Sequence, residues 1–171
     1  RDAVVPEVMR FEQYREQFAF LRDNGITTRT DMAAFTARTE EMLANLMKQR
    51  TVLNVRKKRH RALYTALADA EALAPARELY EAGLSGMETE FAQYMDAVAA
   101  LEQCGVPREG LIQEKAELYD RLAELNRQIR AERRKLALCR KTQNSLPRME
   151  QEIDKAEARE SEVRTNEHRR R

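Results

Sequence analysis

Apolar residues recur at alternating spacings of three and four from residue 111 to residue 153, the spacing of a helix that packs along its length against another helix. In a heptad assignment the d positions are Leu111, Leu118, Leu125, Glu132, Cys139, Leu146 and Ile153, and a positions include Leu122, Ile129 and Leu136. The stripe becomes polar after Leu136, and Pro147 lacks the backbone donor that a helix requires. The sequence therefore predicts a long helix over residues 108–157, kinked or broken near Ser145–Pro147.

Helical periodicity predicts a second long helix over residues 29–74, where Thr28 and Asp31 are placed to form a capping box. A shorter helix is predicted over residues 7–24, ending at Asn24-Gly25 with a glycine C-cap. Its apolar residues at helical spacing are Val8, Phe11, Tyr14, Phe18 and Leu21.

Between the two long helices, Pro75 interrupts the pattern and residues 76–105 are predicted to form a small helical cap. Its first helix ends at Gly83, and Ser85 with Glu88 three residues later predicts a capping box for the second. Cys104-Gly105-Val106-Pro107 ends that second helix. Short helices between two long ones indicate a chain reversal.

The simplest architecture is all-α: an elongated antiparallel hairpin of two long helices, coiled-coil-like, with a short N-terminal helix and a small helical cap at one end. One elongated domain is expected over residues 1–164, followed by a basic tail over 165–171. In such a hairpin, residues 48–61 lie opposite residues 124–137.

Composition supports long helices rather than a broad globular interior. Charged residues make up 35% of the 171 residues and aromatic residues 6%, and tryptophan is absent. This is typical of long helices and coiled coils. No apolar run approaches the ~20 residues of a membrane span, and the start lacks the features of a signal peptide. We therefore expect a cytoplasmic protein without membrane contact, and the initial Arg1 suggests a processed or excised fragment.

Two runs of basic residues interrupt this helical pattern. Residues 48–61 contain seven Lys or Arg and no acid, and residues 126–141 contain seven with Glu132 as the single acid. If the hairpin places the runs side by side, they form one band of fourteen cations. The predicted nucleic-acid-binding residues are Lys48, Arg50, Arg56, Lys57, Lys58, Arg59, Arg61, Arg127, Arg130, Arg133, Arg134, Lys135, Arg140 and Lys141.

Like charges across a helix pair repel, and a polyanion that neutralises them removes the penalty. A phosphate backbone is the obvious candidate. The alternative is a solvated charged face whose long side chains cover apolar atoms of the helix pair. Few aromatic residues are interleaved with the cations, which favours backbone contact with a DNA duplex over stacking on single-stranded bases.

Residues that carry catalytic chemistry are sparse. The chain has two histidines and two cysteines without metal-ligand spacing. His60 is interpreted as a packed or helix-flanking residue, and Cys104 and Cys139 as buried or half-buried thiols of a reducing cytosol. The five tyrosines are interpreted as core or cap residues: Tyr14, Tyr64, Tyr80, Tyr94 and Tyr119. No enzymatic activity, metal or cofactor is expected for this segment.

Three stretches carry a resemblance to a known family. They are Phe-Leu-Arg-Asp-Asn-Gly-Ile-Thr-Thr at residues 20–28, Leu-Tyr-Glu at residues 79–81, and Glu-Leu-Tyr-Asp-Arg-Leu-Ala-Glu-Leu-Asn-Arg-Gln-Ile at residues 117–129. With the long basic helix between them, they resemble the helical C-terminal region of relaxases from conjugative and mobilisable elements of Firmicutes.

The resemblance implies a non-catalytic part of a protein that nicks plasmid or transposon DNA at an origin of transfer. The relaxase active site, a tyrosine with a histidine triad that holds a metal, would lie in a preceding α/β domain. This segment would hold origin DNA or dock relaxosome and secretion-channel proteins. The alternative is a purely structural coiled-coil module for self-association, for example as a homodimer, or for protein docking.

Overall fold

The computed structural model describes the backbone of residues 4–169 and the side chains of residues 12–165. Within that part of the chain the secondary structure is entirely helical, which confirms the predicted all-α class. The helices are α1 (Val4–Asp23), α2 (Arg29–Arg59), α3 (Arg61–Ala72), α4 (Ala74–Glu81), α5 (Glu88–Gln103) and α6 (Arg108–Arg169). None of the described helices has an apolar stretch long enough to cross a membrane.

The predicted helix over residues 29–74 is divided at two junctions. His60 has φ −91° and ψ 6°, and Leu73 has φ −93° and ψ −5°, both at the edge of the helical region. The hydrogen-bond ladder continues across His60, because the Tyr64 N–H donates to its carbonyl at 3.0 Å. The junctions are therefore local departures from helical geometry rather than loops.

Helix α6 continues through Pro147 to Arg169, so the helix does not break there and the predicted end at residue 157 is wrong. The predicted kink near Pro147 stays a prediction. Its buried stripe also continues past Leu136, through Cys139, Thr142 and Met149. The step from Cys139 to Thr142 is three residues where the heptad assignment expects four. Over this length the stripe follows the period of a straight helix, which drifts from a strict heptad. Ile153, assigned to the seam, is 49% exposed.

The chain divides into two compact units, which we call the first unit (Arg1–Leu43 with Arg130–Arg171) and the second unit (Ala44–Ile129). In the first unit, α2 and α6 run antiparallel. Arg29 pairs with Glu150 at 2.7 Å, and Glu40 pairs with Arg140 at 3.7 Å, so residue numbers rise on one helix as they fall on the other. The apolar core combines side chains from α1, the α1–α2 connection, α2 and α6: Phe20, Ile26, Met32 and Cys139.

The connection from α1 to α2 forms as the sequence predicts. Gly25 has φ +63°, and the Ile26 N–H donates to the Leu21 carbonyl at 2.9 Å, closing a glycine C-cap. The Thr28 N–H then donates to Asp31 Oδ2 at 2.9 Å, and the Asp31 N–H donates to Thr28 Oγ1 at 3.0 Å. This reciprocal pair is the predicted capping box, with aspartate in the place of glutamate.

The first unit also buries polar side chains. Gln17 is 1% exposed and Thr142 is 0% exposed. Gln17 Nε2 donates to Ser145 Oγ at 3.3 Å, whereas Gln17 Oε1 and Thr142 Oγ1 have no hydrogen-bond partner among the described residues. Phe18, assigned to the apolar face of α1, is 55% exposed, so that part of the prediction is wrong. The side chains of Val8 and Phe11 lie outside the described residues.

Among the residues that the structure describes, the second unit has the larger apolar core. It contains leucine, alanine and tyrosine side chains from α3, α5 and α6: Tyr64, Ala66, Leu67, Ala70, Tyr94, Ala97, Leu101, Leu111, Leu118 and Leu122. Within this unit, α2 and α6 again run antiparallel, because Arg50 contacts Asn126 and Arg56 contacts Glu114. Helix α3 packs against α5 and shares the same core with α6.

The predicted capping box of α5 does not form. The N-cap residue is Met87, and its side chain makes no capping hydrogen bond. Glu88 instead accepts a hydrogen bond from the Gly86 N–H at 3.3 Å. The helix begins three residues after Ser85, so the serine hydroxyl lies outside the position that a capping box requires.

Candidate nucleic-acid interface

The predicted binding residues fall in both units. The second unit contains Lys48, Arg50, Arg56, Lys57, Lys58, Arg59, Arg61 and Arg127, and the first unit contains Arg130, Arg133, Arg134, Lys135, Arg140 and Lys141. All are exposed except Arg50 and Lys57, which are half-buried. Solvent exposure alone therefore does not separate binding residues from solvated ones.

The predicted register of the second unit is wrong. Arg56 Nη2 lies 2.8 Å from Glu114 Oε1, whereas the hairpin estimate placed Arg56 near residue 129, about four helical turns away. The two runs therefore meet at their ends, where Arg50 contacts Asn126, whereas Arg56 faces an earlier part of α6 that carries acidic residues. These contacts do not place the two runs side by side over their full length.

The contacts of α3 show which part of α6 it faces. His60 Nδ1 lies 3.2 Å from Glu114 Oε1, and side chains of α3 line pockets together with Lys115 and Tyr119. Helix α3 also packs on α5, and the three helices share one apolar core.

Several cations of the first unit have carboxylate partners. Lys135 pairs with Glu132 at 2.8 Å, Arg140 with Glu40 at 3.7 Å, and Lys141 with Glu16 at 3.9 Å. Among the described side chains, no carboxylate lies within 4.0 Å of Arg130, Arg133 or Arg134. This surface is partly neutralised by the protein itself.

Among the predicted binding residues of the second unit, the partnered cations are Arg56, with Glu114, and Arg127, with Glu124. Among the described side chains, the remaining lysines and arginines of residues 48–61 have no carboxylate within 4.0 Å. These are Lys48, Arg50, Lys57, Lys58, Arg59 and Arg61. Most of the positive charge of the first basic run is therefore not paired with a carboxylate, although acidic residues lie on the facing part of α6.

Three of these unpaired cations line a concave site with a volume of about 580 Å³, which we call the basic pocket. Its walls contain four cations and no acidic residue. The lining residues are Asn54, Lys57, Lys58, Arg61, Tyr64, Thr65, Ala68, Lys115 and Tyr119. A concave surface of uniform positive sign focuses the electrostatic field and attracts anions.

Two tyrosine rings accompany the lysines of the basic pocket. Lys57 Nζ lies 4.5 Å from the centroid of the Tyr119 ring, and Lys115 Nζ lies 5.9 Å from that of Tyr64. The two rings meet edge to face, with centroids 6.5 Å apart. Cation–π contacts orient the ammonium groups without neutralising their charge. Both lysines therefore stay available to an anion.

A carboxylate lies close behind the pocket without lining it. Glu114 Oε1 accepts a hydrogen bond from Arg56 and lies 3.2 Å from His60 Nδ1, which makes no aligned hydrogen bond. Burial, with a smaller contribution from Glu114, raises the pKa of Tyr64 above its ordinary value. The Tyr64 phenol is therefore neutral at physiological pH. His60 flanks a helix junction, as the sequence predicts.

A second concave region, of about 640 Å³, adjoins the basic pocket in the same unit, and we call it the apolar groove. Most of its lining is aliphatic, with Arg108 and Glu71 as its other charged residues besides Lys115. The lining residues are Leu67, Ala70, Glu71, Ala74, Arg108, Ile112, Lys115, Ala116 and Tyr119. Lys115 and Tyr119 line both regions.

Sequence reasoning missed Lys115 and Tyr119 because it searched for aromatic residues within the basic runs themselves. Tyr119 was interpreted as a core or cap residue, but it is 42% exposed, so that interpretation is wrong. The available signal was the four-residue spacing of Lys115 and Tyr119, which places both on one face of a helix. That this face of α6 lies beside Lys57 of α2 becomes known only from the contacts between the two helices.

The described residues offer little other chemistry. Cys139 is buried and Cys104 half-buried, as predicted, and burial raises the pKa of the Cys139 thiol, which makes it unreactive. Within residues 12–165 no cluster of three His, Cys, Asp or Glu side chains is placed to hold a metal ion. No protein-family model, curated protein or solved structure matches the chain.

Proposed function

We propose that the second unit binds the phosphate backbone of nucleic acid through the basic pocket. One observation carries this proposal: four cations line a concave site that no acidic residue lines. In the absence of an anion, their mutual repulsion is reduced only by solvent and salt. Phosphates that occupy the pocket would replace that repulsion with charge-assisted hydrogen bonds.

The setting that we propose is a non-catalytic, accessory region of a relaxase-like DNA transfer protein. The resemblance in residues 20–28, 79–81 and 117–129 supports this setting, and the basic pocket adds a surface that suits contact with origin DNA. Relaxosome or secretion-channel proteins would be its protein partners, in the cytoplasm. The elongated, coiled-coil-like hairpin stays a prediction for the whole chain, supported by the antiparallel course of α2 and α6 within each unit.

The test is binding of a labelled oligonucleotide across a salt series. If the pocket contacts about four phosphates, log K should fall with log salt with a slope of about −3 to −4. The double variant Lys57→Gln, Arg61→Gln should weaken binding and reduce the slope by about 2, because it removes two phosphate contacts.

The matched control is Lys155→Gln, Arg159→Gln, which removes the same charge at the same four-residue spacing from exposed positions of α6 in the first unit. It should change the affinity little, because neither residue lines the basic pocket. Equal losses in both variants would show a nonspecific effect of net charge. Absence of binding at low salt would refute the proposal.

Self-association is a second candidate, and exposed apolar side chains on α2 favour it. Within the second unit, Met47, Val52 and Val55 are 37%, 67% and 54% exposed. Their spacing places Val52 and Val55 near one face, with Met47 just over one turn earlier. Sedimentation equilibrium tests this function: a mass that rises with concentration in the wild type but not in Val52→Lys supports it, and a constant monomer mass excludes it.

A further inference from the structure

Tyr119 lies where the basic pocket and the apolar groove meet. Tyr119 and Lys115 line both regions, so the two form a continuous concave surface with a cationic half and an aliphatic half. Tyr119 is 42% exposed, whereas Tyr64 beside it is 5% exposed. The exposed ring is therefore Tyr119, and it stands at the boundary between charge and apolar surface.

A ligand that fits both halves carries negative charge, which the cationic half binds, beside a weakly polar part that contacts the aliphatic half. The charge of the basic half restricts the class further. A fatty acid would bring one carboxylate to four cations and leave most of their repulsion in place. A phosphodiester chain brings one negative charge per nucleotide, at spacings that several side chains can follow.

The aromatic ring selects among nucleic acids. Nucleobases stack on tyrosine rings when they are unpaired, and such stacking is sequence-tolerant because every base has a π-face. In a duplex the faces of the bases are covered by their neighbours, and only the phosphates would reach Lys58 and Arg61. A site with an exposed ring between cations and aliphatic side chains suits an unpaired base better than a paired one.

We infer that the basic pocket and the apolar groove together bind an unpaired nucleotide, with its phosphates among the cations and its base against the Tyr119 ring. This inference rests on the nucleic-acid binding proposed above and specifies its substrate. It replaces the sequence-based expectation of duplex contact, which depended on a basic run without aromatic neighbours. Lys115 lines both halves and is therefore placed to contact a phosphate of such a ligand.

The experiment compares a labelled thymidine strand, an abasic strand of equal length and a duplex of the same length, by fluorescence anisotropy with the full chain. The thymidine strand should bind roughly tenfold more tightly than the abasic strand, because only the former can stack. Tyr119→Leu should abolish that preference while leaving the affinity for the abasic strand and its salt dependence unchanged. Tyr119→Phe, which keeps the ring, should retain the preference.

Lys115→Gln provides the contrasting variant, because it should weaken the thymidine and abasic strands by similar factors. Intrinsic fluorescence gives an independent reading, since the chain has five tyrosines and no tryptophan. The thymidine strand should quench it in the wild type and less in Tyr119→Leu. Far-ultraviolet circular dichroism shows whether each variant is folded. If Tyr119→Leu does not fold, Tyr119→Phe still tests whether the ring without its hydroxyl retains the preference for the thymidine strand.

Three outcomes would overturn the inference: equal affinity for thymidine and abasic strands, tighter binding of the duplex, or binding only to vesicles that contain anionic phospholipid. The first two would leave the proposed phosphate contact intact, so the failures of the two proposals can be distinguished. A titration with thymidine monophosphate alone shows whether the bound nucleotide is free or part of a strand. Affinity equal to that of the strand indicates a free nucleotide, and much weaker affinity indicates a polynucleotide. Both results support the unpaired nucleotide as ligand.

Discussion

In the second unit the core is built from leucine, alanine and tyrosine, whereas the first unit places Gln17 and Thr142 in its interior. The two units also differ in how far the charges of their surface cations are paired. In the first unit, Lys135, Arg140 and Lys141 have carboxylate partners, while the cations of the basic pocket in the second unit have none among the described side chains.

This contrast teaches that the number of cations in a run is a poor guide to a binding site. The two basic runs contain the same total of Lys and Arg residues, seven each. They differ in what surrounds them, because a cation that already has a carboxylate partner gains less from a phosphate. A well-packed apolar core beneath an uncompensated surface is also the better support, since it holds the cations in position.

The largest effect is expected from the core of the second unit. Leu118 is 4% exposed and lies in the apolar core, so Leu118→Ala should lower the free energy of unfolding by about 3 kcal/mol. Urea denaturation followed by circular dichroism measures the change. Ile112→Ala, at a position 49% exposed on the same helix, is the control and should cost much less. Similar losses from both variants would contradict the assigned core.

A smaller and opposite effect is expected inside the first unit. The buried Thr142 hydroxyl has no partner among the described residues, so Thr142→Val should leave stability unchanged or raise it by up to about 1 kcal/mol. Thr39 is the matched control, because its hydroxyl donates to the Phe35 carbonyl at 2.8 Å. Thr39→Val should cost about 1 kcal/mol. A comparable loss from Thr142→Val would reveal an ordered water that satisfies the hydroxyl.

The smallest effect is expected at the surface cap of α2. Hydrogen bonds from Thr27 and Thr28 lower the pKa of Asp31. Because the folded state favours the carboxylate, this contribution is present above the ordinary pKa of about 3.9 and is lost as the pH falls through the lowered value. Asp31→Asn should remove that part of the acid dependence. Thermal unfolding between neutral and acid pH, compared for the two proteins, measures it; parallel curves would argue against the cap.

Much of the fold was predictable because its signals are local. The glycine at residue 25 and the Thr28–Asp31 pair specify the turn between α1 and α2 through their own backbone and side chains. The stripe from Leu111 to Leu136 specifies the buried face of α6 in the same way. A break at Pro147 was expected and did not occur, because α6 continues through that residue.

The candidate site was predictable only in part, because it depends on which residues of α2 and α6 face each other. The basic run was evident, but its partners were not. The Lys57 ammonium lies 4.5 Å from the centroid of the Tyr119 ring, a contact between two different helices. No local pattern encodes that contact, because it depends on how the helices of the second unit pack together.

The most direct measurement is a lysine footprint of the full chain with and without a thymidine strand, in which the acetylation rate of each lysine is read by mass spectrometry. If the basic pocket is the binding site, the strand should protect Lys57, Lys58 and Lys115, and leave Lys141 and Lys155 unchanged. Protection confined to Lys135 and Lys141 in the first unit would contradict the account.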